Sequence, residues 1–159
     1  MKGSEKIALI TGGGTGVGRA TALQLAAKGC SVLLNYSRSS REAEETAEAC
    51  KKLGVWAAAF QADISNEEDD RELVRAAIEK FGRLDILVNN AGWTTRVPHD
   101  DLDALTNEIL FKTIEVNLYG TWWLTRAAMP HLKNVEQGCV VNVSSVAGLR
   151  AIRSSTAYG

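Results

Sequence analysis

The stretch Thr11-Gly12-Gly13-Gly14-Thr15-Gly16-Val17-Gly18 gathers groups suited to holding phosphate. The apolar run Ile7-Ala8-Leu9-Ile10 before it reads as a buried strand, and Arg19 to Ala26 after it has helical apolar spacing. Glycines let the backbone turn sharply, adopt positive φ and approach a diphosphate with no Cβ in the way. The first free N–H groups of the helix then face the phosphates, with the positive end of the helix dipole behind them. A P-loop would close on Gly-Lys-Ser/Thr, whereas Gly18 is followed by Arg19 and Ala20, so the lysine and the magnesium-binding hydroxyl are missing. A dinucleotide is the better ligand.

The elements that must position this turn can be read in order. Lys28-Gly29 ends the first helix, and Ser31-Val32-Leu33-Leu34-Asn35 is a second buried strand, whose carboxyl end should lie beside the adenosine ribose. NAD would be met there by an acid, yet the sequence reads Asn35-Tyr36-Ser37-Arg38-Ser39-Ser40-Arg41. Hydroxyls and a guanidinium suit a 2′-phosphate, so NADP(H) is expected over NAD(H), with Tyr36, Ser37 and Arg38 as contacts. Ser39 or Ser40 also serves as the cap of a helix over Glu42 to Leu53. A third strand, Val55 to Phe60, leads to Asp63-Ile64, where the Asp63 carboxylate is either an acceptor for an adenine amino group or a turn residue. Ser65-x-x-Glu68 is a capping box, and Glu67, Glu68, Asp69 and Asp70 read as a helix start with no further role. The helix Glu67 to Phe81 stops at Gly82, and Leu84 to Val88 is a fourth strand.

That strand runs into Asn89-Asn90-Ala91-Gly92. The asparagines offer donors and acceptors to neighbouring strands or a cofactor ribose, while Ala91 and Gly92 leave room for a nicotinamide ring. This motif, with the spacing Gly12-x-x-x-Gly16-x-Gly18, resembles the short-chain dehydrogenase/reductase family, and the chain is similar to its 3-oxoacyl-[acyl-carrier-protein] reductases. The resemblance implies a Rossmann-type doubly wound parallel sheet in the order 3-2-1-4-5, and a dinucleotide on Gly12, Gly14, Thr15, Gly16, Val17, Gly18, Asp63, Ile64, Asn90, Ala91 and Gly92.

Beyond a polar loop containing Pro98, Asp101 or Asp103 is expected to cap a long helix over Leu105 to Leu132. Asparagine is a poor residue for its middle, and the match Glu115-Val116-Asn117-Leu118 implies that Asn117 distorts the helix and holds a water-linked proton path. Adjacent Trp122 and Trp123 point about 100° apart, one expected in the core and the other at a subunit contact, since the family pairs this helix between subunits. A fifth strand, Gly138 to Val143, leads into Ser144-Ser145, and Tyr158 follows Ser145 by 13 positions. The resemblance makes Ser145 and Tyr158 the catalytic pair, the serine hydrogen-bonding a substrate oxygen and the tyrosine exchanging its proton. The family's lysine, four residues after the tyrosine, has no counterpart within the chain, which ends at Gly159.

The expected activity is NADP(H)-dependent hydride transfer to or from a small carbonyl or alcohol, with a non-catalytic nucleotide-binding module as the alternative. The 159 residues read as one domain matching the N-terminal part of a family member, so the fifth strand should lack cover on one face. A net charge of −1 gives no footprint for nucleic acid or an anionic membrane, and no apolar run reaches the length of a span. Met1 to Glu5 shows no signal-peptide pattern, which predicts a cytoplasmic protein, oligomeric when full length. Cys30, Cys50 and Cys139, like His99 and His131, lack metal-ligand spacing, and no metal is expected.

Overall fold

Five short apolar runs align as one parallel sheet: β1 (Ile7–Ile10), β2 (Ser31–Tyr36), β3 (Ala57–Gln61), β4 (Ile86–Asn89) and β5 (Cys139–Asn142). Their order is β3-β2-β1-β4-β5, the doubly wound arrangement expected. The computed structural model describes residues 6–150 and 155–159; the reading of Met1 to Glu5 lies outside them.

Alternation along the strands divides the core into two layers. Ala8, Ile10, Val32 and Leu34 face α1 (Gly16–Ala27) and α2 (Ser40–Lys51), where Ala22, Ala26, Ala47 and Cys50 complete the packing. Leu9, Leu33 and Leu87 face α3 (Glu67–Phe81) and α5 (Gly120–Lys133), meeting Leu73, Ala77, Leu124 and Ala128. The residues that α1 and α2 bury against this layer are small: Ala22, Ala26, Ala47 and Cys50. Burial raises the thiols of Cys30, to about 11, and Cys50, while Cys139 is exposed on the β5 edge.

Several local expectations are corrected. The cap of α3 is Asn66, whose side chain accepts from Glu68 N and Asp69 N, while Ser65 Oγ donates instead to Asp63 Oδ1 at 2.7 Å. Ser39 stands at the N-cap of α2 without a side-chain cap bond, and Ser40 Oγ lies 3.3 Å from Tyr36 Oη. Thr106, not Asp101 or Asp103, caps α4 (Asn107–Ile114); Asp101 Oδ1 accepts from Ala104 N in the preceding turn. Neither tryptophan enters the core, because Trp122 is 60% exposed and Trp123 is half-buried, its ring 5.5 Å from that of Tyr119. On β5 the uncovered face leaves Val141 and, just beyond the strand, Val143 exposed.

The acidic start of α3 is more than a charged helix end. Asp70 is fully buried, and neither carboxyl oxygen has a hydrogen-bond partner among the described residues. Burial, followed by repulsion from Asp69, Asp63 and Glu67, pushes its pKa up to about 8. Glu67 is held down by Arg71 and faces Arg126 of α5 as well. The native chain therefore keeps the Asp70 proton over a range where the unfolded chain has released it. Stability is lost as pH rises from about 4 to about 8. Asp70→Asn removes this dependence, so thermal melts of variant and wild type should diverge toward pH 8 in the variant's favour, by on the order of a few kcal/mol. A gap independent of pH would mean that Asp70 is ionised in the fold.

Candidate active site

The turn between β1 and α1 demands glycine through positive φ at two positions and through close backbone approach at another. Gly12 and Gly16 have φ of 60° and 52°. A Cβ on Gly18 would stand 2.3 Å from Gly12 O and 2.6 Å from Asn90 Nδ2. Around the turn, Asn35 accepts from Gly12 N through its side chain and from Gly13 N through its carbonyl, and Thr46 Oγ1 donates to Gly14 O at 3.1 Å.

Thr11 joins this turn to the segment after β4. Its hydroxyl oxygen accepts from Asn90 N and Ala91 N, both at 2.9 Å, while Asn90 Nδ2 donates to Thr11 O at 2.8 Å. Asn89 Nδ2 reaches sideways to Asn142 Oδ1 at 2.8 Å and Thr125 Oγ1 at 3.0 Å, fixing the ends of β4 and β5 together. The linking roles of Thr11, Asn35 and Thr46 escaped the sequence reading. The signal available for Asn35 was a polar residue ending an otherwise apolar strand.

These elements enclose a cleft of about 580 Å³ at the carboxyl ends of the strands. Gly12, Gly14, Thr15, Gly16, Val17, Tyr36, Ser37, Arg38, Asp63, Ile64, Asn90, Ala91 and Gly92 all line it, and Gly18 stands behind it as packing. No acid lies among the β2-end residues in this lining, and no carboxylate among the described residues pairs with Arg38. Asp63 is both turn residue and cleft wall, since its Oδ1 accepts from Ser65 N and Oγ. A tight turn open to phosphate, a free guanidinium and a narrow Ala91-Gly92 wall fit a dinucleotide.

A second cavity, of about 460 Å³, adjoins the first through the shared wall of Asn90, Ala91, Gly92 and Val143. Asn117, Ser144, Ser145 and Tyr158 line it. Ser145 is half-buried and its Oγ accepts from Ala147 N at 3.1 Å, which leaves its O–H to donate to a ligand. Tyr158 is half-buried, and its N–H donates to Ser155 O at 3.0 Å. No hydrogen bond joins the two hydroxyls among the described residues, so they meet only through what sits between them.

Asn117 lies within a π-turn, Glu115–Tyr119, that interrupts the run from α4 to α5. Its Nδ2 donates to Thr113 O and Trp93 O at 2.9 and 2.7 Å, and its Oδ1 accepts from Trp93 N at 2.9 Å. The loop after Gly92 is thereby pinned to the helix. Trp93 in turn stacks under the Lys112 ammonium, 4.8 Å from the ring centroid, and both residues line the larger cleft.

The sequence model of the short-chain dehydrogenases matches residues 6–159. The chain belongs to that family. Among curated short-chain dehydrogenase relatives, the 3-oxoacyl-[acyl-carrier-protein] reductase of Synechocystis sp. is 36% identical over 151 residues, covering 92% of this chain and 58% of that protein. Among solved structures, a short-chain dehydrogenase from Burkholderia cenocepacia in complex with NADP is 36% identical, with a TM-score of 0.88 over 97% of this chain and 61% of that one. NAD+-bound xylitol dehydrogenase, 28% identical, also superposes at 0.88, over 100% of this chain and 60% of that one. The chain thus spans about three fifths of the length of these short-chain dehydrogenases, which come from a family of oxidoreductases.

The Thr11 link is directly testable. Thr11→Val keeps the shape but strands two N–H donors, and should cost about 2–4 kcal/mol in denaturant melts and weaken dinucleotide binding; Thr11→Ser should stay within about 1 kcal/mol of wild type.

Proposed function

We propose that this chain is the cofactor-binding portion of an NADP(H)-dependent oxidoreductase that interconverts a small carbonyl compound and its alcohol. The observation carrying the reading is the shared Asn90-Ala91-Gly92 wall, with the dinucleotide-shaped cleft on one side and Ser145, Tyr158 and Asn117 on the other. When bound, the nicotinamide supplies or accepts the hydride. The chain's own residues handle charge and proton. Ser145 donates a hydrogen bond to the substrate oxygen as negative charge gathers there, and Tyr158 gives that oxygen a proton, or takes one in the reverse direction. A free tyrosine, with pKa about 10, is a slow proton partner near neutrality, so a cation beside it is required. In the family that cation is a lysine four residues after the tyrosine, a position beyond Gly159. Asn117, fixed in the π-turn, lines the same cavity as Tyr158, and in this reading it holds the water-linked proton path that the family resemblance implies.

NADP(H) is favoured over NAD(H) by Arg38 and Ser37 at the end of β2, where an unpaired guanidinium and a hydroxyl suit a 2′-phosphate. The Synechocystis relative supports a 3-oxoacyl thioester on an acyl carrier protein as the substrate. Residues 1–159 form one domain in this reading, the N-terminal part of a cytoplasmic homo-oligomer in which the exposed Leu118 and Trp122 meet another subunit.

In the full-length protein, NADPH should bind at least about tenfold more tightly than NADH, and Arg38→Ala should remove most of that preference while sparing NADH. Tyr158→Phe should lower kcat by about 10²–10⁴ with the NADPH dissociation constant unchanged. Equal affinity for the two cofactors would overturn the NADP assignment, and a Tyr158→Phe protein of normal kcat would overturn the catalytic one.

A further inference from the structure

The β1–α1 turn offers N–H donors and a helix dipole to a diphosphate but no cation of its own, since the position a P-loop gives to lysine is Arg19, which lies outside the cleft lining. Among the described residues the charged groups lining the cleft are Arg38, Asp63 and Lys112. Arg38 and Asp63 stand at the ends of β2 and β3, on the adenosine side. Lys112 comes from α4 and lines the cleft together with Gly92, Trp93 and Val116.

Its placement has a specific support. The backbone of Trp93 is held by two hydrogen bonds from the Asn117 side chain, and its ring holds the Lys112 ammonium 4.8 Å from the centroid. A long, flexible side chain is thus preorganised, lowering the entropy lost when it takes a ligand. Among the described residues no carboxylate lies within ion-pair distance of Lys112, so its charge is unspent. The next residues on the helix, Thr113 and Ile114, line the Ser145–Tyr158 cavity and not the cleft. That difference places Lys112 at the cleft and not at the Ser145–Tyr158 cavity.

We propose that Lys112, carried on the face of Trp93, is the cation that binds the diphosphate of the dinucleotide, complementing the uncharged donors of the β1–α1 turn. The proposal rests on the dinucleotide reading given above. Equilibrium binding of NADPH, NADH, ADP and adenosine to the full-length protein, at low and moderate salt, tests it. Lys112→Met should weaken NADPH, NADH and ADP alike by about tenfold, leave adenosine unchanged, and reduce the salt dependence of the phosphate-bearing ligands; Lys112→Arg should restore binding. Trp93→Leu, which removes the ring but no charge, should reproduce part of the loss. Unchanged NADPH binding by Lys112→Met, or an equal loss for adenosine, would overturn the proposal. A loss confined to NADPH would place Lys112 at the 2′-phosphate and overturn it equally. Failure of the wild-type protein to bind any of the four ligands would instead overturn the dinucleotide reading itself.

Discussion

The contact between Gly18 and Gly12 O, closed off by Asn90, governs the geometry of everything at the top of the sheet. A turn that tight has no internal means of holding its shape, because its glycines have the greatest freedom to lose on folding. Here the constraint comes from outside the turn: Asn90 and Ala91 N–H groups on the Thr11 hydroxyl, and the Asn90 amide on the Thr11 and Gly12 carbonyls. Strands β1 and β4 are neighbours across the point where the strand order reverses, so these bonds are available only in this topology.

The same economy joins the two cavities. Asn90 to Gly92 serve two cavities at once, and Asn117 secures the chain just beyond them through the backbone of Trp93. A regular α-helix would carry its i to i−4 ladder straight through this region. The π-turn widens the helix at the point where an asparagine side chain can satisfy Thr113 O and still reach the loop.

Not every part of the structure is arranged for stability. Asp70 occupies a fully buried site between acids, and its neutral form is the one the fold accommodates. Edge strand β5 carries exposed Val141, and the π-turn and α5 present Leu118 and Trp122 outward, so apolar side chains stand exposed on three neighbouring parts of the chain.

The strands, the glycine turn and the Asn-Asn-Ala-Gly segment were legible in the sequence because each is a local pattern, whereas the sheet order followed from the family resemblance that those patterns carry. Buried parallel strands are continuous apolar runs, and positive φ beside a close backbone approach demands glycine. Caps were less legible: Asn66 closes its helix in place of the adjacent Ser65, which competes for the same N–H groups, and Thr106 in place of Asp101 or Asp103, because the helix begins later than the apolar pattern suggests. The core place expected for one of Trp122 and Trp123 did not hold, because helical spacing gives the angle between two side chains but not which direction is the core. What only the tertiary structure decided was the pairing of distant polar groups: Thr11 with Asn90, Asn35 with Gly12, Asn117 with Trp93, and Lys112 over the Trp93 ring. By itself the sequence determined the elements and the glycine geometry of the turn, because those depend on neighbours along the chain; the partners of its buried polar groups depend on which strands and helices meet across the sheet.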